Sequence, residues 1–522
     1  MAHSAYSQST ASTLPYDVLS QIFLQCLPSA PLDEVQLNTE IAPMLLCHVS
    51  SSWRDVALSM STLWSHLYYR LPVMWNVDWE PVIWDVKRFR RDMECLTWWR
   101  QNVRNRAHFI RFGNYLRGDR GGVFGLGYEK LNLTSDTAEF KFIVQYLSTA
   151  RYLDVGLFSW FLFGRNDVEA CGDLCPHLQT LVARFPEEEE VYPDEDEDEN
   201  PPIIIPFQIP PTLRQLHVHF DDILENYDAS FGSWSVLTHL SLHDVLLSPA
   251  MWLSLFRGAI NLQWAFFNIS LQGPEISDLA DTPHIVLPFL STLSLKITKC
   301  GDPASIQWRR PIKLLLKNLR FPVLDNLFLH NESSRAWRHP TAMKEVMVAL
   351  RRAPRVTALS LGRHFLRNTY KRPFGLSKAT GKDQTPLSAL APHLEHVRLD
   401  FGCGDFEGAS AIREAMQCAY WHHFFFGERW LDLTNPTCSV RRVTIIVSKW
   451  DEFKSDSVAS SSESDSGEFD SVDDLFQYPW DIKDAVTEVM DKFAEKAPHV
   501  VFEAFLDGEY DYLEGWDTHL AK

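Results

Sequence analysis

The chain has 522 residues, of which 45% are hydrophobic and 22% are charged, so it is long enough to bury an extensive apolar core. At roughly 150 residues per domain, this length predicts three or four domains or one long repeat array. The net charge is −19, and two acidic runs, residues 187–199 and 451–474, carry −10 and −8 of it. The rest of the chain is almost neutral. This disfavours nucleic acid and anionic lipid as partners, because both require a basic surface.

The cysteines and the hydropathy pattern indicate the compartment. The nine cysteines are scattered, and the closest pair, Cys171 and Cys175, has no second pair nearby. This spacing is typical of neither a disulfide framework nor a zinc knuckle, and it fits a reducing compartment. Residues 1–13 are predicted to be a disordered lead rather than a secretory signal. The best apolar stretch, 155–163, has nine residues, whereas about 18 are needed to cross a bilayer. The sequence therefore predicts a soluble cytoplasmic or nuclear protein without membrane contact.

A compact helical domain is predicted over residues 14–70. Its first helix opens at Leu14-Pro15, and its apolar residues recur at i, i+4 spacing, which makes a broad stripe. A second helix is predicted over residues 43–60, with a short third segment after it. Three short helices cannot bury all of their apolar faces among themselves, so the block must pack on the rest of the chain or on a partner. The apolar residues are Leu14, Val18, Leu19, Ile22, Phe23 and Leu27, then Leu45, Leu46, Val49, Trp53 and Val56, then Leu63, Trp64 and Leu67.

From residue 174 onward, the phrase Pro-x-Leu-x-x-Leu-x-Leu recurs at intervals of 24 to 38 residues. The first apolar residue is predicted to close a turn, and the Leu-x-Leu pair to form a short strand with alternate side chains pointing inward. Helix-like stretches separate the strands, such as 249–258, 340–353 and 410–421. This pattern is typical of a leucine-rich-repeat solenoid, and the alternative is an ordinary α/β domain built of similar units. The turn-closing residues are Leu178, Leu213, Leu237, Leu262, Leu290, Leu324, Val356 and Leu394.

The remaining segments complete the predicted organisation. Residues 71–173 are interpreted as a linker and the N-terminal part of the repeat domain. The solenoid is expected over 174–450, with an acidic loop at 187–202. Residues 451–478 are acidic, rich in serine and predicted to be a disordered insert. Residues 479–522 are expected to supply a C-terminal helix and strand that cap the repeats.

The helical block resembles a known module. Residues 14–23 (LPYDVLSQIF) resemble the first helix of an F-box, residues 42–57 (APMLLCHVSSSWRDVA) resemble its second, and Leu63-Trp64 matches its Leu-Trp close. The whole pattern is similar to the F-box-like proteins with leucine-rich repeats that are abundant in mushroom-forming fungi. The close similarity covers 14–70, and a looser one covers 174–450. It implies an α/β chain in which a three-helix F-box-like block precedes an irregular leucine-rich-repeat solenoid.

The resemblance also implies a function. Such proteins are substrate-receptor subunits of Skp–cullin–F-box ubiquitin ligases: the helices dock on the Skp adaptor, and through it on a cullin–RING ligase, while the repeats hold a protein client. The alternative is a non-catalytic repeat scaffold whose helical block is only a solenoid cap. Carried over by position, the adaptor-binding residues are Leu14, Pro15, Val18, Leu19, Ile22, Val49 and Trp53.

No catalytic, cofactor or metal site is predicted, so the protein is not expected to be an enzyme. The glycines of 121–127 lack the lysine and spacing of a phosphate-binding loop. The histidine pairs at 217 and 219, 239 and 243, and 422 and 423 lack the geometry of a helical metal-ligand pair, and no nucleophile motif is present. The 18 tryptophans are interpreted first as core and second as binding anchors.

The serine-rich insert contains candidate modification sites. Ser460, Ser462 and Ser471 each precede an acidic residue by three positions, the pattern that acidophilic kinases favour. Each phosphate would add about 1.5 to 2 negative charges. Asp465-Ser466-Gly467 with Ser471 beyond it also resembles a phosphodegron. The alternative is an inert solubilising linker.

Overall fold

The computed structural model describes part of the chain, and it divides the chain into two compact units. The division falls between Val245 and Leu246, inside one strand. The described residues are 14–27, 41–70, 73–75, 81–84, 86–103, 108–113, 148, 150–154, 175–185, 210–220, 231–271, 284–300, 311–331, 342–362, 387–402, 425–426, 431–448 and 478–506. Among them, no helix combines the length and the apolar character needed to span a bilayer.

The first unit begins with short helices and continues into a parallel sheet. Strands β1, β4, β5, β6, β7 and β8 pair side by side in chain order, and β2 and β3 form a separate antiparallel pair. The helices are α1 (Tyr16–Gln25), α2 (Met44–Val49), α3 (Ser51–Ser59) and α4 (Val86–Val103), with 3-10 turns at Ser61–Trp64 and Phe231–Val236. The strands are β1 (His66–Arg70), β2 (Val73–Trp75), β3 (Pro81–Trp84), β4 (His108–Gly113), β5 (Ala150–Asp154), β6 (Thr180–Phe185), β7 (Gln215–Phe220) and β8 (His239–Leu247).

The boundary predicted for the helical domain needs a correction. Residues 66–70 form β1, which pairs in parallel with β4 from His66↔Phe109 to Arg70↔Gly113. The sequence explains this strand, because Leu67 is buried and tyrosine, which occupies positions 68 and 69, is enriched in strands. The helical block therefore ends before His66, and the parallel sheet begins there rather than at the first repeat phrase.

The second unit alternates helices with a parallel sheet. Strands β9, β11, β13, β14, β15, β16 and β17 pair in chain order, and β10 and β12 form a second, two-stranded parallel sheet. The helices are α5 (Pro249–Gly258), α6 (Pro311–Leu316), α7 (Ala342–Arg352), α8 (Leu387–Leu390) and α9 (Tyr478–Lys496). The strands are β9 (Trp264–Leu271), β10 (Ile285–Val286), β11 (Thr292–Cys300), β12 (Leu319–Arg320), β13 (Asn326–Asn331), β14 (Ala358–Leu361), β15 (His396–Gly402), β16 (Arg442–Ser448) and β17 (Val501–Leu506).

Each repeat phrase folds as a tight turn that leads into a strand. The Leu394 amide donates to the Ala391 carbonyl at 3.1 Å, which closes the turn. The next amide, of Glu395, donates to the Thr357 carbonyl of the preceding repeat at 2.8 Å, and the Thr357 amide donates to Asp325 in the same way at 2.8 Å. The eight turn-closing residues named above are each at most 1% exposed. The repeats are therefore held in register by backbone hydrogen bonds and by one buried residue per turn.

Helices cover one face of the sheet in the second unit. The Trp252 ring of α5 lies 4.8 Å from the Phe267 ring of β9, and its Nε1 donates to the Leu315 carbonyl at 3.0 Å. Phe267 therefore points to the helix side, and its neighbours Trp264 and Phe266 belong to the opposite face, because strand side chains alternate. The α/β class predicted from the sequence is confirmed. The helix-like stretches at 249–258 and 340–353 coincide with α5 and α7, whereas 410–421, both acidic runs and the insert at 451–478 lie at least partly outside the described residues.

Gly362, which is buried just after β14, allows a close approach of His330. A methyl group added at Gly362 would overlap Cγ of the His330 ring. We expect Gly362→Ala to lower the free energy of unfolding by about 1 to 3 kcal/mol, because the added atom overpacks the site. Urea unfolding measures the effect of Gly362→Ala both in the original protein and in a His330→Ala variant. The His330→Ala variant lacks the ring that the added methyl group would overlap. An equal loss of unfolding free energy in both proteins would therefore contradict the explanation.

Candidate protein-binding site

The three N-terminal helices are joined by specific hydrogen bonds. Ser50 caps α3, because its Oγ accepts from the Trp53 amide at 3.1 Å. Arg54 Nε donates to the Cys47 carbonyl at 2.9 Å, which ties α3 to α2. The Tyr16 and Ser59 hydroxyl groups lie 3.0 Å apart and connect the start of α1 with the end of α3.

Removing the Ser50 cap should weaken the block measurably. We expect Ser50→Ala to cost about 0.5 to 2 kcal/mol, since the Trp53 amide loses its acceptor at the helix start. Ser50→Asp should retain most of the stability, because a carboxylate accepts the same hydrogen bond. Chemical denaturation of the three proteins checks the order, and an alanine variant as stable as the aspartate variant would contradict it.

The core of the block lies between α1 and α3. Phe23 is fully buried, and its ring centroid is 5.0 Å from that of Trp53. Leu19 is 2% exposed, and Ala57 of α3 is fully buried. One stripe of α1, formed by Leu19 and Phe23, is thus buried in the core of the block.

The neighbouring stripe of α1 remains exposed. Leu14 precedes the N-cap residue of α1, and Val18 and Ile22 stand at i, i+4 spacing on α1, so these two lie on one side of the helix at about 100° per residue. The exposed fractions of Leu14, Val18 and Ile22 are 37%, 43% and 37%. On α2, Leu45 and Val49 stand in the same i, i+4 relation and are 43% and 53% exposed. Clusters of apolar side chains left in contact with water mark protein interaction sites.

Most of the large exposed apolar side chains of the described residues belong to this one block. Seven of eleven lie there, and the other four, Ile260, Val286, Phe289 and Val501, lie in the second unit. We call the seven the exposed apolar set: Leu14, Tyr16, Val18, Ile22, Leu24, Leu45 and Val49.

The residues predicted to bind an adaptor divide into three groups. Leu14, Pro15, Val18, Ile22 and Val49 are exposed. Trp53 is half-buried against Phe23, and Leu19 belongs to the core of the block. The prediction missed three exposed members of the set. The i, i+4 relation of Leu45 to Val49 was the available signal for one, and no comparable signal marks Tyr16 or Leu24.

The C-terminal end of the block is fixed to α4. Trp64 is fully buried, and its ring centroid lies 5.0 Å from those of Trp98 and Trp99. Trp99 Nε1 donates to the Trp64 carbonyl at 2.7 Å, and Trp64 Nε1 donates to the Ala57 carbonyl at 2.9 Å. The block is therefore anchored to its own chain at one end while its exposed apolar set faces water.

A cleft of about 370 Å³ lies between α2, α3 and α4. Burial raises the pKa of the Cys47 thiol, and burial together with Asp92 and Glu94 raises that of Cys95. Both thiols are thus protonated at neutral pH and are poor nucleophiles. The lining residues are Met44, Cys47, His48, Arg54, Glu94, Cys95 and Trp98.

The histidines considered as metal ligands are described only in part, and the structure brings two of them close together. His217 and His243 lie on adjacent strands with ring centroids 4.8 Å apart. Within the part of the chain that the structure describes, no group of three His, Cys, Asp or Glu side chains is placed to hold a metal ion. The glycines of 121–127, the histidines at 422 and 423, and Ser460, Ser462 and Ser471 lie outside the described residues.

Comparison with known proteins adds no assignment. No protein-family model matches the chain, and no curated protein matches it. The exposed apolar set, the repeats and the resemblance described above are the features that bear on function.

Proposed function

We propose that this protein is a non-catalytic substrate-receptor subunit of a Skp–cullin–F-box type ubiquitin ligase. The observation that carries the proposal is the exposed apolar set on α1 and α2, whose members are 37% to 53% exposed although the same helices contain a well-packed core. Covering each Leu-, Ile- or Val-sized side chain would stabilise a complex by up to about 1.5 to 3 kcal/mol before the costs of association. A few such anchors are enough to dominate an interface.

The resemblance supports the identity of the partner. Four of the seven residues that match the adaptor-facing positions of an F-box, Leu14, Val18, Ile22 and Val49, belong to the exposed apolar set. A helical block that folds on its own core and presents a second apolar stripe is the arrangement that docking on a Skp adaptor requires. We therefore assign the adaptor contact to α1 and α2.

The repeats support the role of client holder. The chain-order pairing of the strands in each unit, and the buried residue at every turn, fit a leucine-rich-repeat solenoid. A doubly wound α/β domain would reverse its strand order part-way across the sheet. We propose that the sheet face opposite the helices holds the client. A cytoplasmic or nuclear location, and a protein rather than a nucleic acid or a membrane as partner, follow from the same proposal.

One observation favours a second candidate, in which the block is only a cap. The contacts of Trp64 with Trp98 and Trp99 bury its C-terminal end on α4, as a capping module would require. A cap, however, has no need for apolar side chains on its solvent side. The two candidates therefore differ in whether the exposed apolar set is covered by another protein.

Mixing the purified full chain with a fungal Skp-type adaptor tests the proposal. We expect a stable one-to-one complex by size-exclusion chromatography with light scattering, 60.2 kDa heavier than the adaptor alone. Two separate peaks at micromolar concentrations of both proteins would contradict the proposal and favour the second candidate, in which the block is only a cap.

A further inference from the structure

The sheet face of the second unit that lies opposite the helices carries ordered rows of side chains. In-register pairing sets the outward residues of neighbouring strands side by side in rows. One row runs Trp264, Thr292, Asn326, Ala358, His396 and Arg442, and the next runs Phe266, Ser294, Phe328, Ser360, Arg398 and Thr444.

Aromatic side chains on this face flank the small side chain of Ser294 on β11. The Trp264 and Phe266 rings of β9 are stacked, with centroids 6.2 Å apart and planes 12° apart, and both are half-buried. Ser294 of β11 separates Phe266 from Phe328 of β13. Neighbouring strands are about 4.8 Å apart, so β9 and β13 stand about 10 Å from each other on either side of Ser294. Because Ser294 is much smaller than Phe266 and Phe328 on either side of it, this register favours a shallow trough at Ser294, which we call the β11 trough, with room for an apolar side chain.

Positive charge adjoins the trough. The Arg398 guanidinium lies 5.3 Å from the Phe328 ring centroid, and Arg442 is the register partner of His396 on the next strand. Burial, and then the charges of Arg398 and Arg442, lower the pKa of His396 to about 4, so this imidazole is neutral at physiological pH. The basic character of this region therefore belongs to the two arginines.

One acidic side chain of the face pairs with the second of these arginines. Glu503 of β17 is 3.6 Å from Arg442 Nε in an ion pair; the Arg442 side chain is 55% exposed and the Glu503 side chain 33%. Among the outward positions whose side chains the structure describes, Lys296, Arg398 and Arg442 are basic and Glu503 is acidic, in a chain of net charge −19. An extended polyanion such as nucleic acid would be repelled by the net negative charge of the chain. A short acidic segment that reaches only the arginines and the trough would be attracted.

We propose that this face binds an extended, acidic segment of a protein client, with one apolar side chain in the β11 trough and carboxylates at Arg398 and Arg442. The inference rests on the proposed role as a client receptor and adds the chemical class of the client. Charge complementarity selects the acidic segment. The aromatic rings beside the trough select its apolar side chain, because aromatic residues dominate the energetics of such contacts.

Fluorescein-labelled pentapeptides on the full-length protein test the proposal by fluorescence polarisation. The probes are Glu-Glu-Phe-Glu-Glu, Gln-Gln-Phe-Gln-Gln and Lys-Lys-Phe-Lys-Lys. We expect the glutamate peptide to bind about tenfold more tightly than the glutamine peptide at low salt, and more weakly as salt is raised. Arg398→Gln, Arg442→Gln and Phe328→Ala should each weaken its binding at least about fivefold. Arg355→Gln, which removes an exposed arginine from a turn off this face, is the matched control and should leave binding unchanged.

The outcomes separate this proposal from the adaptor proposal. Equal binding of the glutamate and lysine peptides, or an Arg442→Gln variant that binds like the original protein, would overturn the acidic-client assignment. Arg442 is exposed, so this variant is informative even if Arg398→Gln fails to fold. Capture of the Skp-type adaptor is measured on the same samples. Adaptor capture without peptide selectivity rejects the client chemistry alone. Peptide selectivity without adaptor capture rejects the ligase role and supports the acidic-segment site.

Discussion

Ile22→Asp and Val49→Asp should each weaken capture of a Skp-type adaptor roughly 30-fold or more, which corresponds to about 2 kcal/mol. Ile22 is 37% exposed and Val49 is 53% exposed, so a carboxylate at either position remains hydrated in the free protein and the fold should survive. In the complex the same carboxylate would be buried without a partner, which is strongly unfavourable. Isothermal titration with the adaptor measures the loss, and thermal melts verify folding.

Val286→Asp is the matched control for these variants. Val286 is 49% exposed, but it lies in the second unit, so the same change should leave adaptor affinity intact. Leu19→Asp and Trp53→Ala are unsuitable, because Leu19 is buried and Trp53 packs on Phe23, so both changes would damage the block itself. Equal affinity losses for Val286→Asp and Ile22→Asp would show that the effect is not located on the N-terminal helices.

Trp64→Ala should cause the largest loss of stability in the first unit, about 3 to 5 kcal/mol. The Trp64 side chain is fully buried, it contacts Trp98 and Trp99, and its Nε1 satisfies the Ala57 carbonyl. Truncation would leave a large cavity between the helical block and α4, and the Ala57 carbonyl would retain only its hydrogen bond from the Met60 amide. Urea unfolding followed by tryptophan fluorescence and circular dichroism measures the change.

Trp64→Phe provides the graded control. It keeps most of the ring volume and loses only the indole hydrogen bond and part of the packing, so its cost should be clearly smaller than that of alanine. A loss below about 1 kcal/mol for Trp64→Ala, the size of an ordinary point substitution, would contradict the anchoring of the block on α4.

The repeat strands were predictable because buried and outward positions alternate along them, which gives a visible pattern of apolar residues in the sequence. Leu327 and Leu329 are each 1% exposed and flank an outward residue, and the turn before them closes on the buried Leu324. Alternation and the turn phrase together therefore locate the strand. Strands β4 and β5 lack the Pro-x-Leu turn phrase, so no repeat pattern predicted that the parallel sheet extends back to β1.

The candidate site was predictable only as a set of apolar residues. The i, i+4 spacing places Val18 with Ile22 and Leu19 with Phe23, but it does not say which stripe faces the core. That choice depends on the ring of Trp53, which meets Phe23 from α3 and leaves Val18 and Ile22 uncovered. The contact is non-local, so periodicity within α1 does not contain it.

Side-chain footprinting of the full-length protein, with and without a Skp-type adaptor, tests the central claim most directly. Carbene labelling of the segments 14–24 and 45–49 should be strong in the free protein and fall on binding, because the exposed apolar set is then covered. Labelling at Ile260, Val286 and Phe289, which are exposed in the second unit, should stay the same. Undiminished labelling of both N-terminal segments at saturating adaptor would contradict the account.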